Sequence, residues 1–135
     1  MKSFCKDNIM HNLIIAIPIL CFGIILNSCK LDLVNKDLPS PSTRPAVGIT
    51  QTGAMLQGSV ELEGNLTTAK FEYGTSLSYG YHTSSVSSPR GDYAIWPVTI
   101  TVTGLKPGTT YYFRLVATNG NGTTNGDDRF FTTLN

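Results

Sequence analysis

The sequence predicts an all-β protein, a seven-stranded antiparallel β-sandwich, and three observations carry that expectation. Short segments from residue 45 onward alternate apolar and polar side chains with a period of two. Strands with one buried face must do this, because successive side chains point to opposite sides. No stretch in the same region has a helical period. Turn residues separate the segments at short intervals, the spacing of a sandwich rather than of a parallel sheet with crossover helices.

The elements follow in order. "PAVGIT" (45–50) opens the sandwich. In "AMLQGSVE", Ala54, Leu56, Gly58 and Val60 share the inward face, with Gln57, Ser59 and Glu61 opposite. "AKFEYG" (69–74) and "LSYGYH" (77–82) are the next two strands. "VTITVT" sets Val98, Ile100 and Val102 against Thr99, Thr101 and Thr103. "YYFRLVAT" turns Tyr111, Phe113, Leu115 and Ala117 inward and Tyr112, Arg114 and Val116 outward, and "DRFFTT" (128–133) closes the fold. Phe71, Val98, Ile100, Phe113 and Leu115 are expected to supply much of the core. A domain of about 90 residues buries roughly 60–65% of its unfolded surface, enough to fold without disulfides.

Ahead of the sandwich the composition changes. Lys2 and Lys6 precede the uncharged run Leu13 to Leu26, 14 residues long. As a helix it would reach about 21 Å, short of a hydrocarbon core of roughly 30 Å, and with its basic start it has the shape of a secretory signal peptide. "LNSC" (26–29) resembles the bacterial lipobox. That resemblance implies that the Cys29 sulfur takes a diacylglycerol, that residues 1–28 are cut away as the signal peptide, and that the freed amine is acylated. A plain signal peptide before a free thiol and an uncleaved anchor helix are the alternatives. Two or three acyl chains at about 0.8 kcal/mol per buried CH₂ hold far more firmly than one. Cys5 and Cys21 leave with the signal, so Cys29 is the one remaining thiol and no internal disulfide can form.

Residues 29–44 read as the lipidated cysteine and a flexible tether, and 45–135 as the sandwich. "KLDLVNKDLPSPSTRP" (30–45) mixes prolines, serines and charges without periodicity and could extend to roughly 50 Å. Lys30 stands where, by the same resemblance, an aspartate would retain a lipoprotein in the inner membrane. That favours the outer membrane in a cell that has one. The expected partners are the membrane, through the lipid, and an envelope protein or glycan.

"GLKPGTTYYFRLVATNGNG" (104–122) resembles the fibronectin type III signature, an immunoglobulin-like sandwich, and the resemblance spans roughly residues 45–133. It implies that Leu105 plugs the sandwich end and that Pro107 and Gly108 shape the turn. It also implies that Tyr111 forms a corner, its ring in the core and its hydroxyl bonded to backbone a few residues upstream. "FEYGTS" (71–76) and the closing "FFTT" agree with bacterial members. In many members a core tryptophan occupies the second strand where this chain has Gly58. The sole tryptophan is Trp96, just before Pro97.

Several functions are excluded for want of parts. Beyond residue 28, eight Lys/Arg face eight Asp/Glu with no basic run, so nothing here displaces counterions from nucleic-acid phosphates. His82 is the only histidine after the signal, too few nitrogen and sulfur ligands for zinc and an isolated partner for any Ser-His-Asp arrangement. Glu61 and Glu63 read as a solvated strand end rather than a general acid/base pair. "NGNGTTNGDD" (119–128) spaces oxygen donors at every second residue, as a calcium loop does, but has Phe130 where the closing glutamate would fall. Its Asn-Gly pairs are accounted for by turn chemistry. No metal, no cofactor and no catalysis are expected.

Tyr79, Tyr81, Tyr93, Trp96 and Tyr112 are the candidate contact residues, able as a platform to stack sugar rings; strand edges and core rims use the same residues. Arg90-Gly91-Asp92 matches a cell-adhesion tripeptide. A given tripeptide turns up by chance in a chain this long about one or two times in a hundred, and this one lies between "LSYGYH" and "VTITVT". The reading that results is a cell-envelope lipoprotein with one fibronectin type III-like binding or spacer module. A glycan-binding accessory lipoprotein of a polysaccharide-utilisation system is the second reading, and an enzyme or enzyme inhibitor the third.

Overall fold

The structure is a computed structural model that describes residues 37–89 and 94–135. Its strands are β1 (Ser40–Val47), β2 (Gly53–Glu61), β3 (Thr68–Gly74), β4 (Tyr81–His82), β5 (Val86–Ser87), β6 (Ile95–Thr103), β7 (Thr110–Asn119), β8 (Gly122–Asn125) and β9 (Arg129–Thr132). One sheet has the order β1-β2-β6 and the other β4-β3-β7-β8, with β5 also on β3 and β9 also on β7. Every pairing is antiparallel. The short strands β4 and β5 share one lane beside β3, and β8 and β9 share one lane beside β7, so nine segments occupy the seven lanes the sequence predicts.

The period-two segments account for the core. Leu56 and Val60 from β2, Phe71 from β3, Val98 from β6, and Phe113 and Leu115 from β7 are the largest of its fully buried side chains. Phe113 is the hub, its ring 6.2 Å from Phe71 and 5.8 Å from Phe131 between centroids. Two outward positions are nonetheless buried, Ser59 and Val116. Gly58 is small for a packing reason: a Cβ there would lie 2.7 Å from both Leu115 Cδ2 and the Ser42 carbonyl. Leu115 has taken the space beside Gly58, and no volume stands vacant for a tryptophan.

Two expected strands differ. β1 begins at Ser40, not Pro45, so Ser40–Arg44, read as tether, pair with Gln57–Glu61. The register slips between Arg44 and Val47, across Pro45, whose ring nitrogen has no hydrogen to donate. Of "LSYGYH" only Tyr81–His82 is strand. Tyr79 is left-handed at φ 59° and Gly80 follows at φ 103°, so the chain turns where aromatic alternation imitated a strand.

The edge lanes are interrupted, and buried hydroxyls complete them, two at the breaks and two at the lane ends. Leu115 N–H donates to Thr43 Oγ1 at 3.0 Å and Phe71 N–H to Thr83 Oγ1 at 3.0 Å. Thr67 N–H donates to Ser88 Oγ at 3.1 Å and Thr109 N–H to Thr133 Oγ1 at 2.9 Å. All four accepting residues are buried. This is how a sandwich with interrupted edges avoids orphaned backbone donors.

Candidate recognition face

The β3–β4 connection builds the face. Gly74 ends β3 beneath Tyr79, so close that a Cβ on Gly74 would fall 1.7 Å from the Tyr79 carbonyl oxygen. Ser78 N–H donates to Ser76 Oγ at 3.3 Å and Tyr79 N–H to the Ser76 carbonyl at 3.0 Å. These bonds curl the loop, and the left-handed Tyr79 lays its ring over β7. The ring centroid is 4.8 Å from the Arg114 guanidinium carbon, and the Tyr79 hydroxyl donates to Asp128 Oδ1. Beneath it Arg114 Nε and Nη2 donate to Glu72 Oε2 at 3.0 and 2.8 Å, a pairing set by the cross-strand register of Glu72 with Arg114. A half-exposed ion pair contributes at most about 1 kcal/mol, and a cation–π contact at such a site about as much. Their value here is to hold Tyr79 in one place.

Burial first, and then the hydrogen bond to Asp128 and its charge, push the Tyr79 phenol up to about 12 from 10.0. Because the folded value is the higher one, the stabilisation is fully present below the unfolded value near 10 and is lost as pH rises from there through 12. Between pH 10 and 12 the unfolding free energy of the parent chain is therefore expected to fall more steeply than that of Tyr79→Phe, followed by urea titration. Parallel profiles would show that Tyr79 carries no such linkage.

The loop borders a groove of about 420 Å³ lined by Glu72, Leu77 to His82, and Arg114. Tyr81 forms its ridge. It is 63% exposed and stacks on Tyr73 at 5.7 Å and 28° between planes. Behind it a cleft of about 160 Å³ is lined by Tyr73, Tyr81, Tyr111 and the Thr103 to Lys106 turn. There Lys106 N–H donates to Tyr111 Oη at 3.0 Å. Tyr111 and Leu105 are buried, while Pro107 is exposed in the turn. The corner thus fixes the cleft floor, and Lys106 makes no ion pair among the described residues.

Of the five candidate aromatics, Tyr79 and Tyr81 line the same groove. Tyr112 lies on β7, its ring 6.2 Å from Phe130. Trp96 is on β6, in the other sheet, half-buried and packed against the core. Tyr93 lies outside the described residues, as do Arg90, Gly91, Asp92 and Cys29. Phe130, 68% exposed, was no candidate in the sequence, although alternation in "RFFTT" with Phe131 inward would have turned it outward. Among the described residues no group of three His, Cys, Asp or Glu side chains could hold a metal ion. Asn119 Oδ1 accepts from Asn121 N–H at 2.9 Å and Gly122 N–H at 3.2 Å, a turn's use of that oxygen.

No family model matches the chain, and no curated protein matches it. Among solved structures the sandwich is similar to the sensor domain of the anti-sigma factor RsgI4 of Pseudobacteroides cellulosolvens. The longer form of that domain shares 26% identity at a TM-score of 0.53, over 72% of this chain and 90% of that one. The shorter form shares 27% at 0.55, over 71% and 94%. The fibronectin type III domain of human fibronectin type III domain containing protein 3 aligns at 24% identity and a TM-score of 0.43, over 70% and 84%. By its own strand order, β1-β2-β6 against β4-β3-β7-β8, and its Tyr111 corner, the fold is an antiparallel β-sandwich of the fibronectin type III, immunoglobulin-like kind.

Proposed function

We propose that the chain is a cell-envelope lipoprotein, anchored through lipid on Cys29, whose sandwich is a non-catalytic recognition module. The observation that carries the recognition reading is the locked Tyr79 loop. A left-handed backbone at a non-glycine residue costs on the order of 1 kcal/mol, and among the described residues Tyr79 is the only such case. That cost is offset by contacts that hold the loop against the sheet and leave Tyr81 projecting beside the groove. A fixed aromatic beside a groove loses little entropy on binding, whereas a spacer has no use for it. Similarity to a domain that serves as a sensor in another protein supports the same reading, though fold alone never assigns function. Catalysis has no part in it.

A glycan is the second reading, a polysaccharide-system accessory, favoured by one specific feature. Tyr81 has one face on Tyr73 and the other toward solvent, the arrangement on which a sugar ring stacks. In a cell that has an outer membrane, the lysine at position 30 favours that membrane as the site of the anchor. The anchor is tested by labelled palmitate: incorporation is expected in the parent chain and absent from Cys29→Ser, and equal labelling would sink the lipid assignment. The face is tested on a glycan array, where retention is expected to fall at least tenfold in Tyr81→Ala. Retention indifferent to Tyr81 would move the ligand off this groove.

A further inference from the structure

The sandwich grips the chain that leads into it. Asn119 Nδ2 and Asn121 Nδ2 both donate to the Asp37 carbonyl, the second at 3.3 Å, and the Thr124 hydroxyl donates to the Pro39 carbonyl. Pro39 is fully buried, and Leu38 lies so near the β7–β8 hairpin that a Cβ on Gly122 would come within 2.9 Å of it. Ser40 then pairs with Glu61 at the end of β2. The chain therefore enters at the pole formed by the β2–β3 connection, the β7–β8 hairpin and the start of β6. The grip is on backbone carbonyls, by two Asn amides and a Thr hydroxyl of the β7–β8 hairpin.

We propose that this clasped pole faces the bilayer, so that the opposite pole, formed by the β1–β2, β3–β4 and β6–β7 connections, is the one held away from the lipid. The inference rests on the lipid anchor proposed for Cys29. From Cys29 to Asp37 is eight residues, at most about 29 Å of chain at ~3.3–3.6 Å each, instead of the roughly 50 Å a tether reaching Pro45 would allow. β7 alone, with ten residues, spans about 33 Å at ~3.3 Å per residue. A body hung by one pole on a lead no longer than itself keeps its other pole, on average, farther from the lipid.

The two poles differ in charge. Among the described residues the clasped pole carries Asp37, Glu61 and Glu63, the two glutamates lining a groove of about 450 Å³ beside Leu38 to Pro41. Anionic headgroups repel such a pole, so the orientation is imposed by the clasp and the short lead and not by charge. The outward connections, residues 48–52, 75–80 and 104–109, have Lys106 as their one charged side chain. Tyr79, Tyr81 and the cleft above the Tyr111 corner sit at that end. The flanks of Arg90-Gly91-Asp92 are at the other: Ser88 N–H donates to the Thr67 carbonyl and Leu62 N–H to the Ala94 carbonyl, each at 2.8 Å.

The test labels the full lipidated chain, whose Cys29 thiol is occupied, at one exposed leucine of each pole, Leu66→Cys or Leu77→Cys, on vesicles with an energy acceptor in the headgroups. Transfer is expected to be at least twofold higher from position 66. In Asn119→Asp/Asn121→Ala/Thr124→Val, which removes the three donors but keeps the Asn119 turn acceptor, transfer from 66 is expected to drop as three more residues of lead are released. Equal transfer from the two positions, or more from 77, overturns the orientation. Transfer from 66 unchanged in the triple variant overturns the clasp. Flotation with the vesicles is scored separately in Cys29→Ser, so a failed anchor is read as that and not as a wrong pole.

Discussion

Replacing Gly74 by alanine is expected to destabilise the fold by about 3 kcal/mol and to dismantle the recognition face. The added Cβ would lie 1.7 Å from the Tyr79 carbonyl oxygen, 2.4 Å from its carbonyl carbon and 2.9 Å from its Cα. All three are backbone atoms, so no side-chain rotation relieves the clash. Gly74 is itself buried and paired with Tyr112, so β3 cannot retreat, and the loop must lift. Overpacking of this kind costs typically 1–3 kcal/mol, and a displaced Tyr79 also gives up Arg114 and Asp128, together on the order of 1 kcal/mol. Urea unfolding with an unchanged slope would measure the loss, and the alkaline linkage assigned to Tyr79 should vanish with it. A cost under about 1 kcal/mol would mean that the loop floats clear of β3.

Thr43→Val is expected to cost about 2 kcal/mol although it preserves shape. It deletes the oxygen that accepts Leu115 N–H at 3.0 Å, at a residue only 1% exposed. A buried donor left without an acceptor costs roughly 1–3 kcal/mol. Thr43→Ser is the control, since it keeps the hydroxyl and loses one methyl, about 0.8 kcal/mol. If valine costs no more than serine, Leu115 N–H has found another acceptor and the joint between the sheets is not made by this hydroxyl. Faster hydrogen exchange at the Leu115 amide in Thr43→Val alone would locate the damage.

The two positions show what a sequence hides. Thr43 sits in a proline- and serine-rich stretch that reads as tether, and nothing local distinguishes it from Ser40 or Ser42. It is buried because Leu115, 72 residues away, needs an acceptor where the β8–β9 lane breaks. "LSYGYH" alternates as a strand does, yet Gly74 admits the Tyr79 backbone and the chain folds back. Phe130 and Trp96 exchange roles for a similar reason. Phe130 lies on the outer side of β9 while Phe131 enters the core, and Trp96 packs inward from β6. Lipidation of Cys29 and the adhesion tripeptide fall outside the described residues.

Sequence by itself determined the class of fold, the inward residues of β2, β6 and β7, and the residues of the Tyr111 corner. Alternation is a property of the strand backbone alone, and the corner closes over five residues, from Lys106 N–H to Tyr111 Oη. Only the tertiary structure decided where β1 starts, which aromatics share a groove, and at which pole the chain from Asp37 enters the sandwich. Each of these depends on a bond between residues far apart in the chain: Tyr79 with Asp128, 49 apart, Leu115 with Thr43, 72 apart, and Asn119 with Asp37, 82 apart. Such bonds carry no local periodicity, because what selects the donor or acceptor is an unpaired group brought near only once the sheets have packed.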